Sequence, residues 1–117
     1  MNSSARPFRR RIASNLLWTP QGIVRSPVVT FYDAEDDFVV ETCPCPDRLP
    51  ETEFHAGLLV ADFPPDFPEA FGRLRASSGD LLTELPHTVV PGGVWVVLSG
   101  LDYARMRLTA ASRIRRL

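Results

Sequence analysis

The sequence predicts a mostly β fold, a small β-sandwich or open barrel with one short helical insert docked on it. Three observations predict this class. Runs rich in β-branched and aromatic residues, such as Ser26–Tyr32 and Val94–Leu98, are typical of strands. Eleven prolines fall largely between such runs, which favours many short elements over long helices. Helical spacing of apolar residues is confined to a stretch after Phe63.

The first part of the chain is predicted to form strands joined by turns. After a flexible start over residues 1–8, the predicted elements are, in order, a strand at Arg9–Trp18, a turn at Thr19–Gly22, a strand at Ser26–Tyr32, an acidic turn at Asp33–Asp37 and a return strand at Phe38–Thr42. In the first strand, Ile12, Leu16 and Trp18 have the same parity, so we expect them on one face. The acidic turn lacks the Gly and Glu of an EF-hand loop, and we expect it to be solvated.

The middle of the chain changes from strand to helix. The predicted elements are, in order, a Pro-rich connection at Cys43–Thr52, a strand at Glu53–Phe63, a stiff linker at Pro64–Pro68, a helix at Glu69–Arg75, a break at Ser77–Gly79 and one more helical turn at Asp80–Leu85 that ends at Pro86. Gly57 indicates a turn or bulge within the strand. Asp66 is a candidate N-cap of the helix. Phe67, Phe71 and Leu74 are spaced at i, i+4 and i+7, which predicts one apolar stripe.

The last part of the chain returns to β structure. The predicted elements are, in order, a tight turn at Pro91–Gly93, strands at Val94–Leu98 and Tyr103–Leu108, and a basic strand or tail at Ser112–Leu117. Val94–Leu98 is apolar on both faces, which predicts an interior strand. The basic residues here are Arg105, Arg107, Arg113, Arg115 and Arg116. We expect them to form a solvated face or a sheet edge guarded by charge; anion or nucleic-acid binding is the alternative.

Size and charge bound the function classes. A chain of 117 residues has the size of one domain and cannot hold a (β/α)8 barrel, which needs about 200 residues or more. The net charge of −1 provides no global attraction for nucleic acid or an anionic membrane. No apolar run reaches the roughly 18–20 residues that span a bilayer, and the start lacks the pattern of a signal peptide. We therefore expect a cytoplasmic protein with no membrane partner.

Motifs of the common catalytic classes are absent from the sequence, which has no Gly-x-Ser-x-Gly, no P-loop and no Gly-x-Gly-x-x-Gly. Cys43 and Cys45 are too close along an extended chain for an easy disulfide, and a single Cys-x-Cys makes a poor metal site. We expect both to be reduced thiols in a Pro-stiffened loop. The two histidines, His55 and His87, are 32 positions apart in the sequence, and we expect each to be an ordinary, partly exposed side chain.

The order of these elements resembles that of the composite β-sandwich of metal-dependent amidohydrolases, the superfamily of deaminases and cyclic-amide hydrolases. In that family the two ends of the chain build the sandwich together, and a catalytic barrel lies between them. Ile12–Thr42 looks like the family's first strand and hairpin, and His55–Phe63 looks like its "G-x-x-L-x-P-G-F" stretch. Pro91–Asp102 looks like its C-terminal "P-G-x-x-A-D-x-V-x-L" motif, and Thr109–Leu117 looks like the closing strand. The resemblance covers residues 9–63 and 86–117.

One departure from the family decides what the resemblance implies. The family's stretch runs into a barrel strand that bears a His-x-His metal motif, whereas Phe63 is followed here by Pro64-Pro65-Asp66-Phe67. The linker and helical insert, residues 64–85, stand where a barrel of about 250 residues would be. No catalytic, cofactor-binding or metal-ligating residue of the family is therefore carried over, and the resemblance implies a non-catalytic remnant without a cofactor.

A sandwich without its barrel is left with an exposed apolar patch, which soluble proteins rarely tolerate. The insert can cover the patch, or two copies can pair across a two-fold axis, and we expect both. The candidate residues for this cover or interface are Phe63, Phe67, Phe71, Leu74, Leu81 and Leu82. The leading hypothesis is a homodimeric self-association or binding module. The alternatives are an accessory subunit that docks on a separate barrel hydrolase, and a small metal-binding or hydrolase-related protein that uses His55, His87, Cys43 and Cys45.

Overall fold

The computed structural model describes residues 9–32, 37–42, 52–77 and 80–117. These residues confirm the mostly β class: seven strands form one mixed, open sheet, and two short helices pack against it. The strands are β1 (Arg10–Thr19), β2 (Gly22–Arg25), β3 (Pro27–Phe31), β4 (Phe38–Thr42), β5 (Glu53–Phe63), β6 (Val94–Ser99) and β7 (Arg113–Arg116). The helices are α1 (Phe67–Ala76) and α2 (Leu81–Thr88).

The sheet has the strand order β4-β3-β1-β5-β6-β7, and β2 pairs with the second half of β1. Thr19 pairs with Gly22 across a two-residue turn, which confirms the turn predicted there. β2 was not predicted as a separate strand, and it continues the hairpin that β1 and β3 form. β5 runs parallel to β1, and β6 lies between β5 and β7 in antiparallel pairing. The interior position predicted for Val94–Leu98 is therefore confirmed.

The bulge predicted at Gly57 is present in β5. Where β1 advances two residues from Ser14 to Leu16, β5 advances three residues from His55 to Leu58. Gly57 has a φ of 133°, which L side chains rarely adopt. A Cβ atom at this position would also overlap the carbonyl oxygen of Leu98 on β6. Both facts explain why this position carries glycine.

Asn15 joins the bulge in β5 to an irregularity on the other side of β1. Its backbone carbonyl accepts a hydrogen bond from the N–H of Ser26, at 2.9 Å, and Ser26 has a positive φ of 49°. Its side-chain oxygen Oδ1 accepts from the N–H of Gly57, also at 2.9 Å. The side chain of Ser14 completes the connection, because its hydroxyl donates to the carbonyl of Gly57 at 2.8 Å. One row of irregular residues therefore crosses three neighbouring strands.

This row changes which face of the sheet a side chain points to. Ile12 packs on one face, whereas Leu16 and Trp18 pack on the other. The prediction that these three residues share a face is therefore wrong. Strict alternation holds only within an uninterrupted strand, and the irregular residues at Asn15 and its neighbours interrupt β1.

Each face of the sheet has its own apolar cluster. On the helix-covered face, α1 and α2 pack on side chains of β5 and β6, with Leu58, Val60, Phe63, Leu81 and Leu85 among the buried members. No described helical residue belongs to the cluster on the other face, here called the helix-free face, which consists of Ile12, Leu17, Val29, Phe31, Leu59, Trp95 and Val97.

The first helix agrees with its prediction, but the second extends further than predicted. α1 includes Glu69–Arg75 and has Asp66 at its N-cap position, although without a side-chain capping hydrogen bond. α2 continues past Pro86 to Thr88, so the predicted end at Pro86 is wrong. Proline removes one backbone donor, but the last turn is still held because the N–H of Val89 donates to the carbonyl of Leu85 at 3.1 Å.

The strand predicted at Tyr103–Leu108 is also wrong, because this segment forms a tight loop. Asp102 and Arg107 exchange both backbone hydrogen bonds, at 3.0 and 3.1 Å, and close the loop on itself. The carboxylate of Asp102 accepts a further bond from the N–H of Arg105 at 3.2 Å. Such local side-chain bonds compete with strand pairing. The loop instead buries Met106 under α2, where its carbonyl accepts from the N–H of Leu81.

Candidate functional site

The ion cluster at one end of the helix-free face contains His55. Ile12 of β1 pairs with Glu53 of β5, which places Arg10, Glu53 and His55 on the same side of the sheet. Arg10 donates from Nε and Nη2 to the two carboxylate oxygens of Glu53, at 2.7 and 2.9 Å. The Arg10 guanidinium is the main reason why the pKa of Glu53 is lowered from 4.5 to about 2. The cluster is therefore a firmly paired charge network.

The hydrogen bonds of His55 fix its tautomer. Arg115 donates from Nη2 to Nδ1 of the ring at 2.6 Å, so Nδ1 must carry a lone pair. Nε2 then carries the proton and donates to Oε1 of Glu53 at 3.3 Å. Both ring nitrogens are engaged in this neutral form. His55 would have to give up one of these hydrogen bonds to act as a general base or as a metal ligand.

His87 lies elsewhere, on α2 at the helix-covered side of the sheet, where it is exposed. It lines a cavity of about 300 Å³ between the helices, together with Arg73 of α1 and Glu84 of α2. Among the described residues, no group of three or more His, Cys, Asp and Glu side chains is arranged to hold a metal ion. Cys43 and Cys45, the other proposed ligands, lie outside the described residues. The structure thus does not bring together the two histidines of the metal-binding alternative.

Five of the six candidate residues for a cover or interface point into the molecule. Phe63, Phe71, Leu74 and Leu81 are buried in the cluster under the helices, and Phe67 is half-buried against it. Leu82 is the exception: it lies on the outer side of α2 and is 53% exposed. The helices therefore supply an internal cover for the sheet, while pairing between copies through these residues stays a prediction.

β4, the strand at one end of the sheet, is the most exposed apolar element among the described residues. All five of its residues are exposed, including Phe38, Val39 and Val40. It pairs with β3 on one side and has no described strand on the other. Sequence reasoning assigned this strand correctly but gave it no function. A run of three apolar residues between acidic ones was the available signal, but it does not reveal that the strand is terminal.

The other terminal strand of the sheet, β7, has the opposite character. Three of its four residues are exposed arginines, Arg113, Arg115 and Arg116, while Ile114 packs against the cluster under the helices. Charged residues on a terminal strand prevent further strands from adding to it. This finding agrees with the edge guarded by charge that the sequence predicted for the basic C-terminal segment. Its position leaves β4 as the apolar end of the strand order; β2, which among the described strands pairs only with β1, has half-buried Ile23 and Val24.

No described helix is both long and apolar enough to cross a lipid bilayer. No protein family model, no curated protein and no solved structure matches this chain.

Proposed function

We propose that this protein is a non-catalytic self-association module that forms a homodimer by pairing two β4 strands. The observation that carries the proposal is the exposed apolar edge. Phe38, Val39 and Val40 are 38%, 46% and 37% exposed at the end of an open sheet. An unguarded terminal strand presents a row of backbone donors and acceptors that pair readily with another strand.

The contrast between the two edges supports this choice of surface. Natural open sheets protect their edges with charge, and β7 does so with three exposed arginines. β4 has one charged residue, Glu41, among its five residues. A sheet that guards one end with charge and leaves its other end, β4, exposed and apolar is suited to pairing through β4. Such pairing gives a closed dimer rather than an open chain of copies.

The sequence of β4 is compatible with pairing across a two-fold axis. Two copies of one strand related by such an axis run antiparallel, and an axis through Val40 places that residue opposite its own copy. Val39 then lies opposite Glu41 of the partner subunit, and no two carboxylates face each other. Like charges directly opposite would destabilise the pair. This register joins the two sheets into one continuous sheet across the dimer.

The amidohydrolase origin is a separate part of the proposal. It is supported by the order of sequence motifs on either side of the helical insert, and the mostly β sheet with a helical cover is compatible with it. The non-catalytic part is supported by the neutral, doubly bonded His55 and by the absence of a His-x-His motif from the whole sequence.

The test is the absolute molar mass in solution, measured by light scattering behind a sizing column across a dilution series. The wild-type chain of 13.1 kDa should elute with twice that mass at high concentration. Val39→Glu should be monomeric, because each new carboxylate would lie directly opposite Glu41 of the partner subunit, and like charges directly opposite destabilise a strand pair. Leu82→Glu is the matched control: it replaces an exposed apolar side chain on α2 and should stay dimeric.

Two results would contradict the proposal. One is a wild-type chain that is monomeric at every concentration, which would favour an accessory subunit that docks on another protein. The other is a Val39→Glu variant that dimerises as tightly as the wild type. Urea denaturation of each variant checks that the substitutions leave the fold intact.

A further inference from the structure

A second cavity, of about 270 Å³, opens at the end of the helix-free face where the turn after β1 approaches β4. Its walls are aromatic and aliphatic. They include Trp95, Phe38 and Val40, and Trp18, which packs on the helix-covered face, lines the cavity at the end of β1. The ring of Phe38 stands edge-on to Trp95, with centroids 5.1 Å apart and planes at 90°. The volume is slightly below the common range for small-molecule sites, about 300–1,000 Å³.

Asp62 is the one charged residue among the described residues that line this cavity. Asp62 lies in a second irregularity of β5, between Val60 and Phe63, and has a positive φ of 59°. Its backbone carbonyl is held by the N–H of Val90 at 2.8 Å. Within the part of the chain that the structure describes, no hydrogen bond or ion pair joins its carboxylate to another side chain.

We propose that this cavity binds a small organic cation with an aromatic body, of the arylalkylamine class. The apolar walls accept the body of such a ligand. The carboxylate of Asp62 at the cavity supplies the complementary charge, and no described cationic residue lines the site to oppose it. An anion of the same size would meet this carboxylate without compensation.

The other cavity, between α1 and α2, has no aromatic side chain besides His87 among its described lining residues, and its described acidic and cationic groups are already paired. The guanidinium of Arg73 is bonded to Asp66 at 3.3 Å, and the hydroxyls of Ser77 and Thr88 donate to backbone carbonyls of their own helices. Glu84 also has a bonding partner. The aromatic cavity is thus the site where an apolar wall and an unpaired charge coincide.

The experiment compares three probes that share one body and differ in charge: 2-phenylethylammonium, 2-phenylethanol and phenylacetate. Binding is followed by intrinsic tryptophan fluorescence, since Trp18 and Trp95 both line the cavity, and by calorimetry. The ammonium should bind about fivefold more tightly than the alcohol, as expected for an exposed charge pair, and phenylacetate should bind most weakly.

Two substitutions assign the effect to the site. Asp62→Asn should remove the preference for the ammonium while leaving 2-phenylethanol unchanged, and Gln21→Glu, in the turn that lines the cavity, should strengthen ammonium binding. Glu69→Gln is the matched control, an exposed carboxylate on α1 outside the cavity. The monomeric Val39→Glu variant should bind as the wild type does, because Val39 does not line the cavity.

The proposal is overturned if none of the probes changes the tryptophan fluorescence, or if the ammonium and the alcohol bind equally. It is also overturned if Asp62→Asn binds the ammonium as tightly as Glu69→Gln does. None of these outcomes depends on whether the protein dimerises, so failure here and failure of the self-association proposal are distinguishable.

Discussion

Replacing Gly57 by alanine should destabilise this protein more than the same change at Gly22, the strand glycine that has open space around it. The positive φ of 133° costs an L residue about 1–3 kcal/mol. The new Cβ atom would overlap the carbonyl oxygen of Leu98, so β6 must move away from β5, and such overpacking adds about 1–3 kcal/mol. We therefore expect Gly57→Ala to lower the free energy of unfolding by about 2–6 kcal/mol, a large fraction of the roughly 5–15 kcal/mol typical of domains.

Two other glycines separate these contributions. Gly22 also has a positive φ, of 142°, but no atom within 4 Å of an added Cβ, so Gly22→Ala should cost the conformational part alone. Gly72 lies in α1 with open space around it, and Gly72→Ala should stabilise by about 0.5–1 kcal/mol. Urea denaturation followed by tryptophan fluorescence measures all three. The reasoning is refuted if Gly57→Ala costs no more than Gly22→Ala.

Two further predictions concern the helical cover and the ion cluster. Leu85→Ala, at a fully buried position of α2, should lower the free energy of unfolding by about 2–5 kcal/mol. Leu82→Ala, on the exposed side of the same helix, should change it by no more than about 0.5 kcal/mol. Equal losses of stability in urea denaturation would contradict this orientation of the helix. Because Arg10 lowers the pKa of Glu53 from 4.5 to about 2, the stability from their pair is complete above pH 4.5 and is lost as the pH falls towards 2. The carboxylate is nearly half exposed, so the loss should be about 1 kcal/mol, and it should be absent from Glu53→Gln when both proteins are denatured at pH 6 and at pH 2.5.

The sequence predicted most elements of the fold because their signals are local. The turn at Thr19–Gly22, the bulge at Gly57 and the helix after Asp66 each depend on residues whose own conformational preferences decide the structure. The strand prediction at Tyr103–Leu108 is wrong because local signals do not decide the conformation of this loop. Its conformation depends on the carboxylate of Asp102 and on the burial of Met106 under α2, a contact between distant parts of the chain.

The candidate sites were harder to predict because they depend on pairing between strands. The partner of His55 is Arg115, 60 positions later in the sequence, and only the packing of β7 beside β6 brings them together. In the same way, the sequence shows that Phe38–Thr42 is a strand but not that it is the last one in the sheet. Trp18 and Trp95 are each typical core residues by sequence, and their common cavity appears only when the sheet curves.

The curvature of the sheet links the exposed edge to the aromatic cavity. β4 and β6 are separated by three strands in the sheet order, yet Phe38 of β4 contacts Trp95 of β6. The sheet therefore curls far enough for β4 to lie over β6. Side chains rather than backbone hydrogen bonds meet there, so the sheet stays open, and the remaining space is the cavity that Asp62 borders. In a fully closed barrel, β4 would have no free edge and side chains would fill this space. An incompletely closed sheet can thus provide a surface for a second copy and a pocket for a small ligand with the same strand.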